Sequence, residues 1–107
     1  MSDRPLFIPL RACWFDAFAC GEKTEEWRRH GPRWNANVCR VGRPVVLSRG
    51  YSGARLHAVI EATRLAWAED PAVVELYGEA LCFVMALRDI QAVSEVASAR
   101  SSMAGPQ

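Results

Sequence analysis

The stretch Gly21-Glu22-Lys23-Thr24-Glu25-Glu26-Trp27-Arg28 decides how this chain is read. It is too polar for a buried helix and lacks a stripe at 3.6-residue spacing. As a strand, its period of two sets Thr24, Glu26 and Arg28 on one face and Glu25 and Trp27 on the other. That first face is unusually charged for a strand. Glu26 and Arg28, two residues apart on that face, are spaced to pair, although on an open strand such a pair contributes almost nothing. Lys23 is the chain's one lysine. An ammonium can be tuned toward neutrality by burial and can shuttle protons, which a guanidinium cannot do near neutral pH.

Working toward the N-terminus, Trp14, Phe15, Ala17 and Phe18 recur at helical spacing within Arg11 to Cys20, with Gly21 placed to end the helix. Trp14, Phe15 and Phe18 are read as its core face. Leu6 to Leu10 reads as a first strand, held to a sheet edge by Pro5 and Pro9. Trp27 alternates away from the charged face and is assigned to the core.

Toward the C-terminus, His30 to Gly42 reads as loop with one helical turn from Pro32. Pro44 to Ser48 and Arg55 to Arg64 read as strands joined through Gly50-Tyr51-Ser52-Gly53, a hairpin. In the second of them Leu56, Ala58 and Ile60 alternate with His57, Val59 and Glu61. Asp70-Pro71 opens a helix that Gly78 stops after Tyr77. Ala80 to Leu87 is an apolar run of strand length bracketed by Gly78 and Arg88-Asp89. Residues 1–93 are read as one domain, and 94–107 as a polar, partly disordered tail.

The 107 residues, half of them hydrophobic and 23% charged, suffice for one globular core. Strands with two short helices point to an α+β fold, a small closed or nearly closed sheet with helices plugging its ends. The start of the chain lacks a signal peptide's apolar stretch, and no window is long enough to span a bilayer. The expectation is a cytoplasmic protein without a membrane, its four cysteines reduced and mostly filling the core. His30, His57, Cys20 and Cys39 lack the short paired spacing of a zinc site, so neither metal nor cofactor is expected.

A net charge of +1 names no partner, but its distribution does. Between Trp27 and Ile60 stand seven arginines, Arg28, Arg29, Arg33, Arg40, Arg43, Arg49 and Arg55, and no acid. This local +7 leaves −6 for the rest of the chain. Guanidinium forks suit phosphates, and Trp27, Trp34 and Tyr51 offer faces on which bases stack.

The opening octapeptide fits G-x-K-x-x-E-x-R at every fixed position and resembles the signature of the ASCH domain, a branch of the PUA-like β-barrel superfamily. The segments WRRHGPRWN and CRVGRPVVLSRGYSG are similar to small ASCH-like proteins of bacteria and their phages. The resemblance covers roughly residues 5 to 93. It implies a PUA-like barrel whose cleft, lined by Lys23, Glu26 and Arg28, takes up RNA or a nucleotide-like small molecule. In that setting Lys23 and Arg28 meet a phosphate or a base edge, and Glu26 accepts from a base amino group. Arg33, Arg40 and Arg49 follow the backbone, and Tyr51 stacks.

Some ASCH-like members are instead hydrolases, amidohydrolases of acetylcytidine or RNA-cleaving enzymes. The amidohydrolase version keeps the lysine but has threonine where this chain has Glu26, and adds a glutamate from the later helical region. The corresponding roles here fall to Lys23, to Glu26 as general base, to Thr24 as a displaced nucleophile, and to one of Glu69, Glu75 or Glu79. A phage accessory protein that binds a host protein is the third reading.

Overall fold

A computed structural model describes residues 4–93. The tail expected from Ser94 onward lies outside the described residues. Seven elements follow in the order β1 (Leu6–Leu10), α1 (Ala12–Ala19), β2 (Glu25–Arg29), β3 (Pro44–Arg49), β4 (Arg55–Trp67), α2 (Pro71–Tyr77) and β5 (Leu81–Ala92). The strands form one mixed sheet in the order β1-β3-β4-β5-β2, with β1 parallel to β3 and the other pairs antiparallel. The fold is α+β, as the sequence implies.

β1 and β2 stand at opposite ends of this order, yet Arg28 Nη2 on β2 donates to the Pro9 carbonyl on β1 at 2.8 Å. The sheet is therefore curled until its two edges meet, and a side chain rather than a backbone ladder bridges the seam. Pro9 suits that place, since its missing N–H costs no ladder bond at an edge while its carbonyl remains free to accept.

Two irregularities help the sheet curl. The β4–β5 register slips between His57 and Val59 and again between Ile60 and Ala62. Asp89, beside the first slip, has φ +56°, and such bulges bend a strand and increase its twist. β5 accordingly runs through Arg88-Asp89 to Ala92 rather than stopping before them, because a bulge reads in sequence like a strand end. β4 likewise continues three residues beyond Arg64 to Trp67, paired with the near end of β5.

The core lies inside the curl, where Ile8, Leu47, Leu56, Ile60, Met85 and the α1 rings of Phe15 and Phe18 meet. The alternation read in β4 holds: Leu56, Ala58 and Ile60 are buried and His57 and Glu61 are exposed. Two readings are corrected. No helical turn starts at Pro32; Asn35 organises that loop instead, its Oδ1 accepting from Asn37 N and Val38 N while its Nδ2 donates to the Gly31 carbonyl. Trp27 is half-buried outside the core, stacked 5.5 Å from the Arg64 guanidinium. Of the cysteines, Cys39 and Cys82 are buried, and Cys13 on α1 and Cys20 just after it are exposed.

Asp70 caps α2 by accepting from Ala72 N at 2.8 Å, and Gly78 closes it. At the end of α1, Gly21 adopts φ +87°, which lets Lys23 N reach back to the Ala17 carbonyl at 3.1 Å and starts β2 in the correct direction. Nothing crowds a Cβ at this glycine, so its backbone angle alone resists substitution. Gly21→Ala is expected to cost about 1–2 kcal/mol, measured by urea denaturation. An unchanged midpoint would mean that this turn tolerates another conformation.

Candidate functional site

The seam encloses a hollow of about 180 Å³. The end of β1 and the link to α1 supply Pro9, Leu10 and Arg11, α1 supplies Trp14, the segment between α1 and β2 supplies Lys23, and β2 supplies Glu26, Trp27 and Arg28. The remaining wall is α2, through Val73, Leu76 and Tyr77. Glu26 and Arg28 of the charged face thus turn inward, while Thr24 does not, and Lys23, Glu26 and Arg28 share one cavity.

Glu26 is only 6% exposed. Its Oε2 accepts from Arg28 Nε at 2.6 Å, and among the described residues nothing reaches Oε1. Burial pushes this carboxyl above its usual range, against the opposing pull of Arg28 and Lys23. Arg28 is itself held on three sides: by Glu26, by the Pro9 carbonyl, and by Trp34, whose ring centre lies 4.7 Å from the guanidinium carbon. Its Nη1 has no acceptor among the described residues.

Lys23 is half-buried and has no carboxylate within ion-pair distance among the described residues. Its Nζ lies 5.2 Å from the Trp14 ring centre and 5.3 Å from that of Phe18. Aromatic faces attract a cation without neutralising it, so the ammonium stays available to an anionic or carbonyl group entering the hollow. Tyr77 completes the set; its phenol is pushed up chiefly by burial, opposed by Arg28 and reinforced by Glu26, and stays a neutral donor and acceptor.

Outside the hollow, Glu25 points to the opposite face and pairs with Arg64 at 2.6 Å. Thr24 is exposed and does not line the cavity, although its carbonyl accepts from Leu87 N. Glu69, Glu75 and Glu79 are exposed and likewise outside the lining. Among the described residues that form the hollow, Glu26 is the one carboxylate.

The seven arginines do not converge on this cavity; Arg28 alone lines it. Arg43 braces the loop by donating to the Arg4 and Val38 carbonyls. Arg49 pairs with Asp16 at 3.1 Å, so folding sets an acid from α1 against the basic stretch. Arg55 is tied to Ser48 Oγ in its own hairpin. Arg29, Arg33 and Arg40 are exposed, and Arg40 also donates to the Asn37 carbonyl. Tyr51 stands on the β3–β4 turn, away from the hollow.

Trp14, Pro9 and Tyr77 line the hollow without a signal in the charged octapeptide. The helical spacing of Trp14 marks it for the core, which it partly joins. The signal for Tyr77 was present in α2: Val73, Leu76 and Tyr77 form an apolar stripe on a seven-residue helix with no buried residue, a stripe turned toward a cavity instead of a core.

Among the described residues no group of three or more His, Cys, Asp or Glu is gathered as metal ligands, and no helix is long and apolar enough to cross a membrane.

The chain is thus one curled five-stranded sheet with two short helices, an α+β half-barrel with a charged hollow at its seam. Among solved structures the chain is similar to the ASCH protein of Zymomonas mobilis. The crystal structure of that protein superimposes with a TM-score of 0.62 at 17% identity, over 94% of this chain and 82% of that one. Its serine-to-alanine variant gives 0.64 at 19% identity, over 100% and 87%. The chain therefore has the ASCH fold. No protein-family model matches it, and no curated protein does.

Proposed function

We propose that this chain is an ASCH-type RNA- or nucleotide-binding domain whose seam hollow receives one base-sized ring. The observation that carries the reading is the buried Glu26 carboxylate on the wall of a hollow that Lys23 and Arg28 also line, with Arg28 on its Oε2 and no hydrogen-bond partner for its Oε1 among the described residues. An unmet buried acceptor costs about 1–3 kcal/mol, and a ligand N–H would satisfy it. The cavity is smaller than the roughly 300–1,000 Å³ of sites that enclose drug-sized molecules, so it suits a ring and leaves sugar and phosphate at the mouth. Trp14 and Tyr77 offer aromatic surface to that ring, Glu26 accepts from its amino or imino group, and Lys23 and Arg28 Nη1 donate to a carbonyl or phosphate. Hydrolysis is the weaker reading, because Thr24 and the three later glutamates stand outside the lining.

Since Arg28 occupies Oε2, a proton taken up by Glu26 goes to Oε1 and converts the recognising acceptor into a donor. Binding of short single-stranded RNA or of a nucleoside monophosphate should therefore weaken as pH falls through the raised range of this carboxyl. Glu26→Gln, which sets an amide N–H₂ toward the hollow, should remove that dependence and cost about 1.5–3 kcal/mol, some tenfold to over a hundredfold in Kd. Calorimetric titration across acidic to neutral pH reads both effects. Undiminished affinity in the glutamine variant, or no binding of either probe by the unaltered protein, would refute the assignment. Lys23→Gln should lower the salt slope of RNA binding by about 0.7 if the ammonium meets a phosphate.

A further inference from the structure

The outer face of the curled sheet carries an arrangement that the hollow does not use. Directly opposed residues share a sheet face. The register Phe7↔Val46, Val46↔His57 and His57↔Gln91 therefore runs one row across β1, β3, β4 and β5. The adjoining row holds Pro9, Ser48 and Arg55. α1 lies on the other side, where Phe15 and Phe18 pack against Ile8 and Leu47.

Phe7 is 42% exposed, and Tyr51, rising from the hairpin turn, 78%. Their ring centres are 6.5 Å apart with the planes tilted by 33°. The Arg55 guanidinium carbon lies 5.2 Å from the Phe7 ring centre. It is fixed there by bonds to Ser48 Oγ and to the carbonyls of Tyr51 and Gly53. All of these acceptors are uncharged, so the positive charge is held in position without being neutralised by an acid among the described residues.

We propose that this face is a stacking platform for single-stranded RNA, on which Phe7 and Tyr51 take a base neighbouring the one in the hollow and Arg55 meets its phosphate. The inference rests on the RNA reading of the hollow and extends it to a second nucleotide. Exposed rings beside a fixed planar cation match what unpaired nucleotides offer, a π-face on every base and a phosphate on every link. The platform adjoins the seam: Phe7 lies on the same face of β1 as Pro9, two residues and roughly 7 Å away, and the Pro9 carbonyl holds Arg28.

The test uses the full chain with two probes, a fluorescein-labelled single-stranded RNA of about ten nucleotides and the nucleoside 5′-monophosphates. Phe7→Ala with Tyr51→Ala should weaken binding of the oligonucleotide by about fivefold to over a hundredfold and leave that of the monophosphates unchanged. Phe7→Leu with Tyr51→Leu keeps apolar bulk without a π-face; it should give a comparable loss and guards against misfolding of the alanine pair. If both pairs bind the oligonucleotide normally while Glu26→Gln does not, the platform is refuted and the hollow stands. If the unaltered protein binds monophosphates but not the oligonucleotide, the platform again falls alone. If it binds neither probe, both readings fall. If both pairs lose the monophosphates, the rings act through the hollow and the platform is refuted.

Discussion

Arg28→Ala is expected to lower the free energy of unfolding by about 3–5 kcal/mol, because it leaves a buried carboxylate without its partner. For a domain of this size that loss shifts Tm by roughly 10–30 °C. The same substitution removes the bond to the Pro9 carbonyl that joins the two sheet edges and the guanidinium that rests on Trp34. It also gives the loss a pH signature. Glu26 already titrates above its usual value of 4.5, so the folded chain holds a proton that the unfolded chain has released. This contribution to stability is present at low pH and declines as pH rises from the unfolded value through the folded one. Without Arg28 to pull it down, the folded value rises further, and the decline should extend to higher pH. Glu25 works with the opposite sign, since its bond to Arg64 holds it below the usual range and its contribution is lost as pH falls. Being partly exposed, that pair contributes little. Urea denaturation at a series of pH values separates the two, because adding Glu26→Gln to Arg28→Ala should abolish only the decline with rising pH. A loss below about 1 kcal/mol would mean that the guanidinium does not hold the seam.

Much of this arrangement was legible from local pattern. The alternation in Thr24 to Arg28 and in Leu56 to Glu61 reports which side chains face inward, because a strand's period is independent of what it packs against. Gly21, Asp70-Pro71 and Gly78 announce helix ends by the same local logic. Long-range consequences were hidden. Nothing near Pro9 states that Arg28 will reach its carbonyl from the far end of the sheet, and nothing near Arg49 announces Asp16. The segregated arginines illustrate the limit: a charge block in sequence became a loop brace at Arg43, an ion pair at Arg49, a hairpin tie at Arg55 and one cavity residue at Arg28. Arg88-Asp89 misled for a related reason, since a polar pair with a left-handed residue marks a bulge as well as a terminus.

Phe18→Ala should produce the other large loss, because its ring joins the core to the site. Phe18 is 1% exposed and heads the fully buried side chains by volume. Truncating such a ring typically costs 3–5 kcal/mol, part from lost transfer free energy and part from the cavity left behind. Over that ring lies Lys23, whose ammonium is 5.3 Å from the Phe18 ring centre and 5.2 Å from that of the half-buried Trp14. These rings are what allow an ammonium to approach the buried Glu26 without an ion pair of its own. Phe18→Leu fills more of the cavity but lacks a π-face, so it should keep more of the stability than alanine while still loosening Lys23. Thermal unfolding combined with RNA titration distinguishes the two functions of the ring. Stability should fall in the order native, leucine, alanine, whereas RNA affinity should drop for leucine at a temperature where that variant is fully folded. Native-like melting of the alanine variant would contradict the core assignment. Native-like RNA binding by the leucine variant would mean that the aromatic face does not hold Lys23 for its ligand.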